Sequence, residues 1–362
     1  MDLLKKAKKR KPATRSTSQL MKKTLLQLIG IAFMAYYGAA VSVAQSVLSL
    51  SNYTYSPTQL VIGTIQSKEP ISRFTLRGPN AALFSVNKAN QLSIKSAATK
   101  SSEHWYDLIV EGQSAKGTLR DTFRLVKDEF IRNQVIAHRG AWKQSGTTEN
   151  SLTSLNNAVK LGCMGSEFDV HMSSDSVMFI HHDPAMDGVE IEKTSAADLA
   201  KLKLSNGEPL PTLESYLREG MKQNRTRLVL EIKTSKTGRS MALTERVVNM
   251  VHQLKAQAWV DYIAFDYDVC KKVKALDPVA QVSYLNGDKS PEQLAADKLT
   301  GFDYHFSVLK KNETWLQDAK QRHLTTNAWT VNDRSTLQWF LDQKIDYITT
   351  NEPELLLELV AK

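Results

Sequence analysis

Cysteine is almost missing from this chain. There are two in 362 residues, Cys163 and Cys270, each beside an apolar run. An even count allows a disulfide in a secreted chain, but free buried thiols are the plainer reading. No CxxC or Cys–His spacing occurs, which excludes a thiolate zinc site. No Gly-rich nucleotide loop occurs either, so kinase and NTPase chemistry have no support. A basic binding face is absent as well. The formal charge is +9, yet residues 1–44 hold nine Lys and Arg against one acid, Asp2, leaving 38 basic and 37 acidic residues elsewhere. Basicity confined to a leader argues against a nucleic-acid partner.

The leader itself has the layout of a secretory signal. Met21-Lys22-Lys23 is a positive n-region, Thr24 to Ala40 is apolar, and Ser42-Val43-Ala44 is a small-x-small cleavage site. Met21 then serves as the start, and cleavage after Ala44 leaves Gln45 as the new N-terminus. An uncleaved anchor is the rival, but the apolar stretch is short for a span of roughly 20 residues. No Cys follows the cleavage site, which argues against a lipoprotein anchor. The expectation is a secreted or periplasmic chain, with residues 1–44 removed.

Residues 46–128 read as short strands: LVIGTI, SRFTL, ALFSV, QLSIK, YDLIVE and DTFRLV. Turn signals such as Arg77-Gly78-Pro79-Asn80 and Lys88-Ala89-Asn90 separate them, the pattern of a small all-β sandwich. The segment also resembles a cadherin-like module. The acidic clusters that bind calcium between cadherin repeats are missing. The resemblance therefore implies a spacer or an interaction module without calcium, and through it a cell-surface or envelope partner.

Residues 133–362 change to strands alternating with helices, which means parallel strands under covering helices. Nine strands are predicted (VIAH, EFDV, VMFIH, RLVLEIK, YIAFD, AQVSYL, DYHFSV, TTNAWTV, DYITT) for the eight places of a TIM-type (β/α)8 barrel. The link Met172–Ser176 is too short for a helix, so EFDV and VMFIH form a hairpin, and one of the nine is an addition to the barrel or a departure from regular topology. Helices are expected over Asn150–Leu161, with Asn150 as cap, and over Leu213–Met221, Leu243–Leu254 and Ser335–Leu341.

Four of these strands end in chemistry: His138-Arg139-Gly140, Glu167 with Asp169, His181-His182-Asp183, and Glu231 with Lys233. The C-terminal ends of barrel strands face one shared pocket. Residues two apart on a strand share a face, so Glu167 and Asp169 point together, and Glu231 joins them from another strand. Three carboxylates suit one hard divalent cation, calcium or magnesium, better than zinc. The competing reading has the acids at the surface or paired with Arg139 and Lys233. His138 and His182 can exchange protons near neutral pH. Adjacent His181 and His182 are expected on opposite strand faces, with only one in the pocket. Arg139 and Lys233 can neutralise a phosphate. Together these groups fit transfer or hydrolysis at a phosphate ester.

From Val135 to Pro353 the chain resembles the glycerophosphodiester phosphodiesterase family, of the phospholipase C-like phosphodiesterase barrel type. The resemblance rests on VIAHRG, TENS, GSEFDVHMSSD, FIHHD, LPTLESYL, LVLEIK, AWTVND and DYITTNEP, in the family's order. It implies metal ligands at Glu167, Asp169 and Glu231, acid/base histidines at His138 and His182, and phosphate held by Arg139 and Lys233. Glu149 would lie at the pocket edge and Trp329 against the alcohol. The stretch PAMDGVEIEKTS after HHD lacks the family's usual Arg, and Ala264-Phe265 replaces Ser-Phe. The segment from Asp183 to Leu210 is short. These departures touch the walls that select the alcohol. The implied activity is metal-dependent hydrolysis of small-molecule glycerophosphodiesters to an alcohol and glycerol 3-phosphate. Two rivals stand beside it: a phospholipase D-like enzyme acting on lysophospholipid or sphingolipid, and a non-catalytic surface-binding protein. No pattern in the sequence speaks to oligomeric state.

Overall fold

Alternating burial organises the first part of the chain. In the computed structural model, which describes residues 48–361, eight strands form two four-stranded sheets. One sheet runs β1 (Leu48–Leu50), β3 (Val61–Ser67), β6 (Gln91–Ile94), β5 (Phe84–Val86). The other runs β2 (Thr54–Tyr55), β8 (Gly117–Lys127), β7 (Trp105–Ser114), β4 (Arg73–Arg77). Every second residue of β7 is buried, so Tyr106, Leu108 and Val110 meet Leu50, Leu92 and Leu125 in one core. The leader, including the cleavage site after Ala44, lies outside the described residues.

The second part closes a barrel. The strands β9 (Val135–Ala137), β10 (Gly165–Met172), β14 (Arg227–Ile232), β15 (Val260–Ala264), β16 (Val282–Tyr284), β17 (Gly301–His305), β18 (Thr325–Trp329) and β19 (Tyr347–Thr350) pair in parallel, and β19 returns to β9. The ninth predicted strand is β11 (Met178–Ile180), which folds back antiparallel on β10. It opens a short insertion that contains the hairpin β12 (Ala185–Met186) and β13 (Val189–Glu190) and has its own core of Phe179, Met186, Ile191, Leu199 and Leu204. FSV of the predicted DYHFSV strand is instead the start of the helix Phe306–Lys311, because β17 ends at His305.

Outward strand residues pack with Leu155, Leu217, Val247 and Leu337 of the covering helices. Inside the ring Ile136, Val229 and Ile263, with Met164 and Leu285, make a thin apolar layer. Gly301 lets β17 close on β18, since a Cβ there would stand 2.4 Å from the Thr325 carbonyl oxygen. The helix Leu152–Leu161 begins on Ser151, whose Oγ accepts from Ser154 N at 3.0 Å, so the cap is one residue later than expected. Among the described residues no helix is long and apolar enough to cross a membrane.

The β-module is seated on the barrel. Ile131 N donates to Arg225 O and Asn224 Nδ2 to Lys127 O, both at 2.8 Å. Lys255 pairs with Asp107 at 3.2 Å, and Trp105 meets Trp259 edge-on at 6.1 Å. Arg225 and Trp259 immediately precede β14 and β15, so these contacts lie on the N-terminal floor of the barrel. A freely moving spacer does not fit such an interface. Trp259 is fully buried and its Nε1 donates to Gln223 O at 2.6 Å. Trp259→Ala should cost about 3–5 kcal/mol in urea denaturation. A loss under about 1 kcal/mol would show that the floor contact adds little.

Candidate active site

β9 ends at Ala137, and the chain turns sharply. Arg139 and Gly140 both take left-handed backbone, with φ of 57° and 79°. The glycine is required, because a Cβ at 140 would lie 2.4 Å from Ser154 Oγ. Ser154 Oγ donates to Arg139 O at 3.1 Å, which ties the turn to the first turn of the helix. The turn aims the Arg139 backbone N–H at Glu167 Oε2, 2.8 Å away. Its guanidinium bonds Glu149 Oε1 at 2.8 Å and lies 3.8 Å from Asp169.

Glu167 and Asp169 share the inner face of β10, and Asp169 is the register partner of Glu231 on β14. All three are buried, with one oxygen from each lying within 4.8 Å of the others. The surface reading of these acids is therefore excluded. The pairing reading holds in part: Lys233 Nζ sits 3.1 Å from Asp169 Oδ1 and 2.9 Å from Glu231 Oε1. Asn150, in left-handed backbone at φ 58°, donates from Nδ2 to Asp169 Oδ2 at 2.8 Å. It anchors an acid and does not cap the helix. Sequence reasoning missed this, since an Asn before a helix usually signals a cap.

Burial, then the like charges of Asp169 and Glu231, push the Glu167 carboxyl well above its usual range. Burial and Asp169 push Glu231 up to about 7. Burial also acts to raise Asp169, but Lys233, His182 and the Asn150 bond outweigh it and hold that carboxyl at about 2. Burial lowers Lys233, and the two carboxylates more than offset it. This is a buried donor set short of positive charge. Three hard oxygen ligands with no sulfur or imidazole among them fit a calcium- or magnesium-type cation.

The two proposed histidines have different partners. His138 Nδ1 lies 2.7 Å from Asn351 Oδ1, and its Nε2 is 4.0 Å from Glu167. An amide oxygen only accepts, so Nδ1 carries the hydrogen and Nε2 presents a lone pair. Burial, then the Arg139 charge, lowers His138 to about 4. His182 Nδ1 bonds the Asp183 carboxylate at 2.8 Å, while His171 Nε2 lies 3.1 Å from the His182 carbonyl. β11 stops at Ile180, so strand alternation does not govern His181 and His182. Both border one depression of about 290 Å³ with Glu149 and Asn150, but their rings are partnered differently. His181 Nδ1 is only 2.9 Å from the Asp183 carbonyl, whereas His182 is close enough to Asp169 and Lys233 for both charges to act on it. Trp329 enters from β18 with Nε1 donating to Asp303 O at 3.0 Å, edge-on to Phe265 at 5.5 Å. Asn351 and His171 are positioning groups that carried no separate sequence signal.

With this geometry in view, residues 138–355 match the model of the Glycerophosphoryl diester phosphodiesterase family. The chain belongs to that family. A crystal structure of a glycerophosphodiester phosphodiesterase from Parabacteroides distasonis is 40% identical, with a TM-score of 0.62 over 64% of this chain and 98% of that one. A glycerophosphodiester phosphodiesterase from Caldanaerobacter subterraneus is 24% identical over 64% of this chain and 99% of its own length. The fold is shared with an Oleispira antarctica phosphodiesterase solved with the product sn-glycerol-3-phosphate, at 24% identity and a TM-score of 0.55 over 64% of this chain and 97% of that one. The matches cover the barrel's share of the chain and leave the cadherin-like resemblance of the β-module without support.

The Asn351 contact yields a direct test with a definite sign. A carboxylate at 351 would favour the imidazolium of His138. Asn351→Asp should therefore raise the His138 pKa, by about 1–2 units, in an NMR titration. An unchanged or lowered value would mean that Asn351 does not hold the ring.

Proposed function

We propose that this chain hydrolyses glycerophosphodiesters to glycerol 3-phosphate and an alcohol, outside the cytoplasm, with one divalent cation. Family membership and the convergence of three buried carboxylates with two differently partnered histidines support this reading. Glu167, Asp169 and Glu231 would hold the cation, which when bound would supply positive charge to the phosphodiester oxygens.

The residues divide the remaining work. The Arg139 guanidinium, partly exposed beside Glu149, neutralises a phosphate oxygen. Lys233 keeps Asp169 ionised and adds positive charge on the inner side. His138 acts as base through its free Nε2, taking the proton of the attacking oxygen. His182 acts as acid: burial lowers its pKa on balance, while the charge of Asp169 and the Asp183 carboxylate bonded to Nδ1 act the other way and favour the protonated ring. Trp329 and Phe265 form an aromatic wall for the alcohol. The β-module serves as a floor for the barrel, and its outer surface is where an envelope partner would attach.

His138→Ala and His182→Ala should each lower turnover of glycerophosphocholine by about 10²–10⁴-fold while circular dichroism stays native. Full activity in either variant sinks the assignment. A p-nitrophenyl phosphodiester, whose leaving group needs no acid, should largely rescue His182→Ala and leave His138→Ala impaired. Rescue in the opposite sense would reverse the two roles.

Chelation provides a separate check. EDTA should abolish activity in the unmodified chain, with recovery on adding calcium or magnesium. Glu231→Gln should not recover. Activity that survives exhaustive chelation would remove the metal from the mechanism. Release of glycerol 3-phosphate from glycerophosphocholine, compared with release from lysophospholipid, separates the reading from its lipid-directed rival.

A further inference from the structure

The barrel has a second polar end. Asp303 on β17 and Asn327 on β18 are register partners, and both are buried. One side-chain oxygen of each, Asp303 Oδ1 and Asn327 Oδ1, has no hydrogen-bond partner. Both residues line a partly open cavity of about 440 Å³ between the barrel floor and the β-module, whose Asn52 and Tyr53 contribute to its wall. This volume lies in the range of small-molecule sites.

The charges of the wall are mostly matched. Arg227 holds Asp261 through two bonds of 2.7 and 2.6 Å. Arg132 holds Asp128 at 2.6 Å, and His252 holds Asp277 at 2.8 Å. Asp303 forms no ion pair of this kind, and burial, then the charge of Glu231, push its carboxyl well above the usual range, a strain that a cation beside it would relieve. Below the acids of the mouth, Ile136, Val229 and Ile263 add an apolar flank.

These features restrict the occupant. Two acceptor oxygens without donors call for N–H groups on a positively charged ligand, because leaving buried acceptors unmet is costly. A calcium-type ion wants six to eight oxygens, far more than this pair supplies. A quaternary ammonium has no N–H to donate. An apolar flank suits a short carbon chain behind the charge. We propose that the floor cavity binds a small primary amine in its ammonium form, with its N–H groups donating to Asp303 and Asn327. The site opens on the floor side of the barrel, although Asp303 lies within reach of the Glu231 charge, and it does not depend on the phosphodiesterase reading.

The test is calorimetric titration of n-propylammonium chloride into the full chain carrying Glu167→Gln and Glu231→Gln, which removes two of the three mouth carboxylates and leaves Asp169 paired with Lys233. One site should fill. Asp303→Asn in that background should weaken binding at least about tenfold. Gln281→Trp, at an exposed position on the cavity rim, should weaken it similarly by obstructing entry, and it leaves Asp303 in place. Tetramethylammonium and potassium should bind at least about tenfold more weakly. Three results would overturn the proposal. One is no binding at millimolar amine, as expected if Asp303 keeps its own proton and donates to Asn327 across a water-filled space. Another is binding unaffected by both variants. The third is potassium or tetramethylammonium binding as tightly as the primary amine.

Discussion

Three carboxylates within 4.8 Å of one another, all buried, are the constraint around which the barrel mouth is built. Like charges in a poorly solvated space repel strongly, and each needs a compensating group. Lys233 bridges two of the acids, the Asn150 amide meets Asp169, and a backbone N–H meets Glu167. The last of these shapes the chain most. To present that N–H, Arg139 adopts left-handed backbone, and residue 140 must then pass so close to Ser154 that only glycine fits. An electrostatic need at one strand thus sets the backbone of the next.

Much of this architecture is written locally. Strand alternation, helix spacing and charged residues at strand ends are short-range patterns, and they identify the barrel, the antiparallel ninth strand and the acid set. The absent helix between Met172 and Ser176 already implied the hairpin that β10 and β11 form. Less visible are residues whose role depends on contacts distant in sequence. Asn351 reaches His138 across 213 positions, and Asn150 reaches Asp169 from a place where a cap would be expected. His181 and His182 lie past the real end of β11, so local hydrogen bonds and not strand alternation set the direction of each ring. Family resemblance filled part of this gap by naming Glu149 and Trp329, which no spacing argument reaches.

The two ends of the barrel differ in their chemistry. The C-terminal end gathers acids, cations and imidazoles around an open depression. The N-terminal end is covered by the β-module through Trp105, Asp107 and Lys127 and keeps Asp303 and Asn327 inside. The thin layer of Ile136, Val229 and Ile263 lies in the same interior. Polar side chains in a barrel interior reduce apolar packing, so the floor contacts contribute stability where the interior contributes less.

The antiparallel strand β11 has a mechanical consequence. It joins β10 through the pairs Val170–Ile180, His171–Phe179 and Met172–Met178, and His182 follows two residues after Ile180. The ring that faces the acids sits just past the sheet, tethered to β10 where His181 N donates to Asp169 O and His171 Nε2 meets the His182 carbonyl. Swinging it away would require unzipping this ladder, a local unfolding event in place of a hinge motion. Phe179, which pairs with His171 in that ladder, also belongs to the core of the insertion beyond Asp183, so the ladder, the ring and the insertion are packed as one piece.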